Sequence, residues 1–293
     1  MMPYCPEGIN AVPPTLEDLR RSAGTGDIFQ ARCIKCDEYH NLHLDLPDTQ
    51  AFIPREEAAL GIREGRTKEI AILSRVGKWV CFQVLGFDSR GTAILSRTAA
   101  QAEARSYFLN TLCPGDIIPA VVHNAAVFGV FCDIGCGVTA LMRIDRCCIS
   151  RLSATAAHFR PGQQIHCAVL SVNDAQGTVE LTGRELLGTW EENAAFFRPG
   201  QTVTGIVRSL MPYGAFIELT PNLSGLAEPT VPLEPGDPVS VYIRSIQAEK
   251  HKIKLTVLEK LTDPLPGKLQ YFKTSGHLES WEYFPGSSAV TYF

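Results

Sequence analysis

The hydrophobic residues of this chain fall in short runs that are bounded by Gly, Pro, Asn or Asp. The runs are rich in valine, isoleucine and aromatic residues, and this length and composition are typical of β-strands. Two stretches differ, because residues 99–112 and 184–197 are rich in Ala and Glu and free of Pro. Their composition predicts linking helices, and a short "TLEDLRRS" helix is expected from Thr15.

The chain repeats one unit. The segment "CPGDIIPAVVHNAAVFGVFCDIG" recurs as "RPGQTVTGIVRSLMPYGAFIELT" 85 residues later, so Gly129 and Gly214 hold the same place in two copies. A weaker copy lies upstream; it begins "TGDIFQARCIKC" at Thr25, continues through "EGRTKEIAIL" and closes with "TAILS". The pattern of about five strands in each unit predicts three small closed barrels.

These repeats divide the chain into seven segments. We expect an N-terminal arm over 1–25, barrels over 26–98, 114–183 and 199–258, linker helices over 99–113 and 184–198, and a C-terminal tail over 259–293. The tail holds seven aromatic residues in its last 25 positions, too many for a disordered solvated segment. We therefore expect it to pack on the third barrel.

The order of motifs within a unit resembles a known family. Pro-Gly-Asp, a valine-rich strand, aromatic-Gly-x-aromatic, Gly-Leu-x-x, a second Gly-Asp strand and a closing I-x-L-S/T are similar to the S-one RNA-binding repeat, an OB-fold barrel named for a protein of the small ribosomal subunit. The match covers roughly 26–260 and is strongest over 199–258. The resemblance implies three tandem five-stranded OB-fold barrels joined by short helices. It also implies a non-enzymatic single-stranded RNA-binding protein of translation or RNA handling.

Candidate base-stacking residues follow from strand alternation. In "GAFIELT", Ala215 and Ile217 share one face, so Phe216 and Glu218 must share the other, polar face. The same alternation in "GVFCDIG" places an aromatic residue beside an acid, Asp133. OB-fold barrels present this face to single strands, and exposed rings there can stack on bases. The candidate rings, with the two in the preceding turns, are Phe128, Phe131, Tyr213 and Phe216.

The segment "CIKCDEYHNLH" at 33–43 invites a zinc interpretation, which the repeat argues against. Residues i and i+3 of a strand point to opposite faces, so Cys33 and Cys36 do not grip one ion. Aligned with the other copies, His43 takes the place of Phe131 and Phe216, and His40 that of Phe128 and Tyr213. We therefore interpret His40 and His43 as stacking residues and expect neither a metal nor a cofactor.

Polar candidates follow from the resemblance. Arg143 lies where the family usually carries a histidine, and the third copy has Glu228 at that place. The last turn of the third copy offers a cluster of lysines, although any one of them suits a solvated edge strand equally well. The remaining candidates hold matching places on the first strands of two copies. The polar candidates are Arg143, His123, Arg208, Lys250, Lys252 and Lys254.

Charge indicates how RNA is bound. The net charge is -4 with a pI near 6.0, and no copy is net basic: Lys/Arg and Asp/Glu number 10 and 10 over 26–98, 4 and 5 over 115–183, and 6 and 6 over 200–260. A binder dominated by phosphate contacts needs an excess of cations. Stacking at several weak sites in series is therefore expected.

Composition suggests the compartment. No apolar run is long enough for a membrane helix, no secretory leader is recognisable, and the ten cysteines are expected to be reduced. We expect a cytoplasmic protein of bacterial type with single-stranded RNA, in particular mRNA, and the small ribosomal subunit as partners, and with no membrane or small-molecule substrate. Two alternatives stay open: a structural adaptor whose barrels bind protein, for which the first, divergent copy is the natural candidate, and an accessory factor of an RNA-processing complex.

Overall fold

The computed structural model describes residues 3–228, 231–263 and 269–293. The described residues form three closed barrels of five strands each and one small two-stranded sheet. These are the three tandem OB-fold barrels predicted from the repeats. Parts of the predicted segments lie outside the described residues: 1–2 in the arm, 229–230 in the third barrel and 264–268 in the tail.

The chain forms two compact units. One contains the residues up to Thr111 together with 133–139 and 174–177, and the other contains the rest of the chain. Among the described residues, no helix combines the length and the apolar character that crossing a membrane requires.

The first unit contains the first barrel and the helices around it. Its elements are α1 (Leu16–Arg21), β1 (Phe29–Cys36), β2 (Leu42–Asp45), β3 (Ala51–Ile53), α2 (Ile70–Leu73), β4 (Trp79–Phe87), β5 (Ala93–Ser96) and α3 (Arg97–Thr111). The strands are hydrogen-bonded in the order β1-β2-β3-β5-β4, and β4 pairs with β1 to close the barrel. Thr15 caps α1 as expected, because its side chain and that of Asp18 bond reciprocally to each other's backbone.

One apolar run of this copy is not a strand. The residues "IAIL" form the single helical turn α2, in which the backbone N–H of Ser74 donates to Ile70. The barrel is already closed by five strands, so a sixth run has no free edge to pair with. The linking helix predicted over 99–112 is present as α3, and its buried face repeats every four residues at Ala100, Ala104 and Phe108.

The second unit contains most of the second barrel and all of the third. The second barrel consists of β6 (Ile117–Ala126), β7 (Gly129–Asp133), β8 (Thr139–Arg143), β9 (Gln164–Asn173) and β10 (Thr178–Thr182), with α4 (Ile144–Cys147) after β8. Its strand order is β10-β8-β7-β6-β9. The pairing of β10 with β8 is parallel, whereas β9 and β10 are antiparallel.

The segment expected as one helix over 184–197 is two short pieces. A 3-10 helix, Arg184–Leu187, is followed by α5 (Trp190–Ala194). Gly188 separates them with a φ of 83°, a left-handed conformation that ends the first piece. Thr189 then caps α5 through a reciprocal pair of bonds with Glu192, so the local capping signals override the helical composition of the whole stretch.

The third barrel has the same topology as the first. It consists of β11 (Thr202–Met211), β12 (Gly214–Thr220), β13 (Leu223–Glu228), β14 (Pro238–Gln247) and β15 (Lys252–Lys260), in the order β11-β12-β13-β15-β14. The tail forms the hairpin β16 (Ser280–Glu282) and β17 (Val290–Tyr292). The hairpin of the tail packs on this barrel as expected: Trp281 and Tyr283 join its core, and Phe284 stacks on His251 at 4.0 Å between ring centroids. The tail residues just before the hairpin lie against the second barrel instead, where the N–H of Leu278 donates to the carbonyl of Gly115.

Candidate nucleic-acid interface

The predicted alternation is confirmed around the two strand phenylalanines. On β12, Ala215 and Ile217 are fully buried while Phe216 between them is partly exposed. On β7, Val130 and Cys132 are fully buried around a partly exposed Phe131. The cores of the two barrels are therefore complete without these phenylalanines, whose rings lie on the outer face.

Each of these rings meets a second one from the preceding turn. The ring centroids of Phe128 and Phe131 are 5.8 Å apart with an interplanar angle of 87°, and those of Tyr213 and Phe216 are 6.3 Å apart at 87°. Phe128 is 58% exposed and Tyr213 is 64% exposed. An edge-to-face pair leaves ring faces open to solvent, and two barrels present it with nearly the same geometry. We call Phe128 with Phe131, and Tyr213 with Phe216, the two ring pairs.

The glycine between the two rings brings neighbouring strands close together. A Cβ placed on Gly214 would lie 2.7 Å from the carbonyl oxygen of Ala227, and one on Gly129 would lie 2.8 Å from that of Met142. Both neighbours are backbone atoms that cannot move aside alone. The Gly-x-aromatic motif therefore combines a close strand contact with a turn that positions the first ring of each pair.

In the first barrel the histidines at the predicted stacking positions are paired with acids. His43 lies next to Phe52 on β3, with ring centroids 6.2 Å apart, but its Nε2 is 2.9 Å from a carboxylate oxygen of Asp37. His40 has a φ of 63° and contacts Glu69. Burial raises the pKa of Asp37, but hydrogen bonds, that with His43 foremost, bring it to about 2. These imidazoles are hydrogen-bonded within the barrel, unlike the rings of the ring pairs.

The cysteines of the same segment have separate surroundings. Cys33 is fully buried in the core of the first barrel, and Cys36 is partly buried, with its sulfur near the carbonyl of Asp37. Within the described ranges, no cluster of three or more His, Cys, Asp or Glu side chains could hold a metal ion.

Two of the candidate lysines, Lys252 and Lys254, lie on the outer face of β15, and Lys250 lies in the turn before it. Lys250, Lys252 and Lys254 are all exposed. Strand register connects the last of them to the ring pair: Phe216 pairs with Leu226, and Leu226 pairs with Lys254. One strand therefore lies between Phe216 and Lys254 on the same face, and their Cα atoms are about 10 Å apart.

The second barrel carries different charges at the corresponding places. Arg143 is exposed at the end of β8 and its Nε lies 3.2 Å from a carboxylate oxygen of Asp145. Leu141, on the same face of β8, pairs with Glu180 of β10. Glu180 therefore occupies the place of Lys254, a correspondence that strand alternation alone does not reveal because it depends on the parallel β8–β10 register.

Two acids expected on the polar face are buried, which corrects that expectation. Asp133 accepts hydrogen bonds from the backbone N–H groups of Glu7 at 2.7 Å, Gly135 at 2.8 Å and Gly137 at 3.0 Å. Burial, together with the charge of Glu7, raises the pKa of Asp133 to about 7. Glu218 is only 4% exposed. Both residues keep their place on the strand, but the surrounding segments cover them.

Arg208 covers Glu218. Its Nε and a second guanidinium nitrogen donate to the two carboxylate oxygens of Glu218 at 2.7 and 2.9 Å, and the Nε2 of His158 lies 3.0 Å from Glu218. A β-bulge between Val207 and Ser209 puts Arg208 out of the regular alternation. The sequence predicts Arg208 as an RNA contact, but its side chain is only 7% exposed and is paired with Glu218. His123 holds the matching place on β6 and is partly exposed.

Comparisons with known proteins point to one group. Small ribosomal subunit protein bS1 of Rhizobium meliloti is 26% identical over 239 residues, which are 75% of this chain and 41% of that protein. Small ribosomal subunit protein bS1 homolog of Bacillus subtilis is 26% identical over 272 residues, 87% of this chain and 69% of that protein. The chain therefore spans about two fifths of the length of the first of these relatives. No family model matches the chain.

Among solved structures, a multidomain protein with nucleic acid binding domains from Streptococcus pneumoniae aligns with 80% of this chain and 74% of its own, at 15% identity and a TM-score of 0.28. The sequence relatives are more informative than this likeness. The resemblance indicated by the repeat motifs is confirmed by them: the chain is similar to bacterial small-subunit ribosomal proteins of the S-one type.

Proposed function

We propose that this chain is a non-enzymatic protein that binds single-stranded RNA through the outer faces of its second and third barrels. The observation that carries the proposal is the duplicated ring pair: in both barrels an exposed turn ring, Phe128 or Tyr213, meets a partly exposed strand ring, Phe131 or Phe216, in matching geometry. Stacking of a base on such a ring contributes roughly 1 to 3 kcal/mol and tolerates any base. A ring that only packed against a neighbouring segment would be covered.

Charges near the rings support modest phosphate binding. Lys252 and Lys254 on the third barrel and Arg143 on the second are exposed on the same outer faces as the ring pairs, and Lys250 is exposed in the turn before β15. Neither barrel has an excess of Lys and Arg over Asp and Glu across its residues. Binding led by stacking, with weak sites joined along one chain, fits this balance better than binding led by phosphate contacts.

The biological setting we propose follows the relatives. Both curated relatives named above are small ribosomal subunit proteins, so we propose mRNA as the RNA, the small ribosomal subunit as a partner, and a bacterial-type cytosol as the location. The relative from Rhizobium meliloti is longer than this chain, and its role as a whole protein is transferred only as part of this proposal.

The test is a binding titration of the purified chain with a labelled RNA of mixed sequence, as a single strand and as a duplex with its complement. In a duplex the base faces are stacked on one another, so ring pairs cannot reach them. We expect the single strand to bind at least about 10-fold more tightly than the duplex, in line with the loss of one or more stacked bases. Equal binding of the two forms, or none, would contradict the proposal.

An adaptor function is favoured by one observation on the first barrel. Its outer surface carries a group of exposed apolar residues apart from the two histidine positions: Ile34 at the β1 bulge, with Ile70, Leu73 and Val76 along α2 and the turn after it. Ile34 lies beside this turn, since the N–H of Gly77 donates to the carbonyl of Cys33. Apolar surface of this kind suits a protein contact.

We propose a protein of the small ribosomal subunit as the occupant of this apolar surface. Cosedimentation with small subunits tests it. Ile70→Asp should abolish cosedimentation, while Phe216→Ala should leave it in place once the mRNA is removed. Unchanged cosedimentation of Ile70→Asp would contradict the adaptor function.

A further inference from the structure

The second and third barrels carry the same ring pair but opposite charges around it. In the third barrel, Leu226 next to Phe216 pairs with Lys254, and Lys254 pairs in turn with Ser245. In the second barrel, Leu141 pairs with Glu180, which pairs with Ser171. The place that holds a lysine in one barrel thus holds a glutamate in the other.

The exchange extends to the other end of the face. Arg143, two residues after Leu141 and on the same side of β8, corresponds to Glu228, two residues after Leu226 on β13. Both are exposed. The second barrel therefore has its cation beside the turn ring and its anion across the sheet, whereas the third barrel has these charges reversed.

Glu180 is available to a ligand. It is partly exposed, and the hydroxyl of Ser171 donates to it at 3.4 Å. Among the described residues, no lysine, arginine or histidine forms an ion pair with Glu180. By contrast, Asp145 is paired with Arg143, and Asp37 is paired with His43. A carboxylate held by one serine and partly open to solvent keeps most of its acceptor capacity free.

The distances suit contact with a base edge. Leu141 is one strand away from Glu180, and the strand bearing Phe131 is the next one along, so Phe131 and Glu180 are about 10 Å apart between Cα atoms. A Cβ on Gly129 would meet Met142 and Leu141, just as one on Gly214 would meet Ala227 and Leu226, so the two strands approach each other at matching places in both barrels. A base stacked on Phe131 would lie over Leu141 with its edge toward Glu180.

The chemistry of a carboxylate decides which base it favours. It only accepts hydrogen bonds, and guanine offers two adjacent donors, N1–H and the N2 amino group, on its Watson–Crick edge. Uracil offers one donor, N3–H, between two carbonyl oxygens that repel a carboxylate. The phosphate can stay away from Glu180 beside Arg143, at the other end of the face.

We infer that Glu180 makes the second barrel selective for guanine over uracil, whereas the third barrel, with Lys254, binds with little base preference. This inference rests on the proposed RNA binding and adds a base-specific subsite to it. The two tandem barrels are then unequal: one reads a base, and the other mainly contributes affinity.

The experiment compares two short RNAs, an all-uridine oligonucleotide and the same oligonucleotide with one central guanosine, too short and too poor in guanine to fold. The full chain carrying Phe216→Ala is used, so that the second barrel dominates binding. We expect the guanosine RNA to bind about 10-fold more tightly, the discrimination typical of a good paired contact to a base edge. Glu180→Gln should reduce this preference to about 2-fold or less, because one acceptor oxygen is replaced by a donor.

A matched control separates base recognition from a change in net charge. Glu259→Gln removes the same charge from an exposed strand position of the third barrel and should leave the guanosine preference unchanged. A guanosine preference that is absent from the Phe216→Ala chain, or that survives the addition of Glu180→Gln, overturns this inference while leaving RNA binding intact. A wild-type chain that binds neither RNA overturns the proposed function itself.

Discussion

Arg208 and Glu218 form a bidentate salt bridge between adjacent strands of the third barrel, with nitrogen-to-oxygen distances of 2.7 and 2.9 Å. Their side chains are 7% and 4% exposed. His158, contributed by the segment before β9 of the second barrel, lies 3.0 Å from the same carboxylate and from Arg208. The pair is thus part of the packing between two consecutive barrels of one compact unit, and its partners come from three separate stretches of sequence.

Arg208→Ala is expected to destabilise the protein and leave RNA affinity nearly unchanged. Removing Arg208 leaves the buried carboxylate of Glu218 with His158 as its one remaining partner, and breaking a buried pair in this way costs up to about 3 to 5 kcal/mol. Urea unfolding measures the loss. If Arg208→Ala keeps the wild-type midpoint and instead weakens RNA binding, then Arg208 is an RNA contact, as the sequence alone predicts.

The same pair makes stability depend on pH in the acid range. Burial by itself raises the pKa of Glu218, but hydrogen bonds from His158 and Arg208, and their charges, hold it below its ordinary value. A lowered carboxyl pKa adds stability that is complete above the pKa of the unfolded chain, about 4.3, and is lost as pH falls through the lower pKa of the folded state.

Thermal unfolding of wild type and Glu218→Gln between neutral pH and strong acid checks this dependence. The difference in Tm should be largest above about pH 5 and should shrink as the pH falls below the unfolded-state pKa of about 4.3, because the wild-type carboxyl then takes up its proton. A difference that stays constant down to strong acid would mean that the charge of Glu218 contributes nothing.

Salt dependence distinguishes stacking from phosphate binding. We expect the second and third barrels each to neutralise only about 2 to 4 phosphates, with a slope in log Kobs against log salt of about -0.7 for each phosphate contacted on a single strand. A slope steeper than about -6 for the whole chain would contradict binding led by stacking.

The salt slope also shows whether a single lysine contacts a phosphate. Lys254→Gln should make the slope shallower by about 0.7, the value for one phosphate contact on a single strand. Lys260→Gln is the matched control, because Lys260 lies on the same strand but is 2.8 Å from Asp237 and is already paired. Equal changes for the two variants would show that Lys254 acts only through net charge.

The features predicted correctly from sequence are those with a local cause. Alternation along "GAFIELT" places Phe216 outside and Ile217 inside because a strand has a period of two, whatever surrounds it. The 85-residue offset then transfers the same result to Phe131. The aromatic hairpin of the tail packs on the third barrel, as its density of aromatic residues indicates, whereas the contact of the preceding tail residues with the second barrel is not predicted.

The features that were missed depend on contacts distant in sequence. Glu218 has the alternation of an exposed residue and is buried because His158, 60 residues earlier, reaches it from the preceding barrel. The facing of Glu180 and Leu141 depends on a parallel pairing between strands that are not consecutive. Arg208 leaves the regular alternation at a β-bulge, which no glycine marks in the sequence. Strand period alone carries none of this information.

The central claim is that the rings of the two ring pairs bind RNA and do not support the fold. Its most direct test compares Phe131→Ala/Phe216→Ala with Val130→Ala/Ile217→Ala, whose residues lie one position away on the opposite, buried faces. The first variant should keep the wild-type Tm within a few degrees and lose about 1 to 3 kcal/mol of single-stranded RNA binding per ring. The second should lower stability, by about 2 to 5 kcal/mol for Ile217→Ala, and keep the affinity of its folded fraction. If the phenylalanine variant instead unfolds as easily as the other and binds RNA as tightly as wild type, the rings belong to packing and the RNA-binding account is wrong.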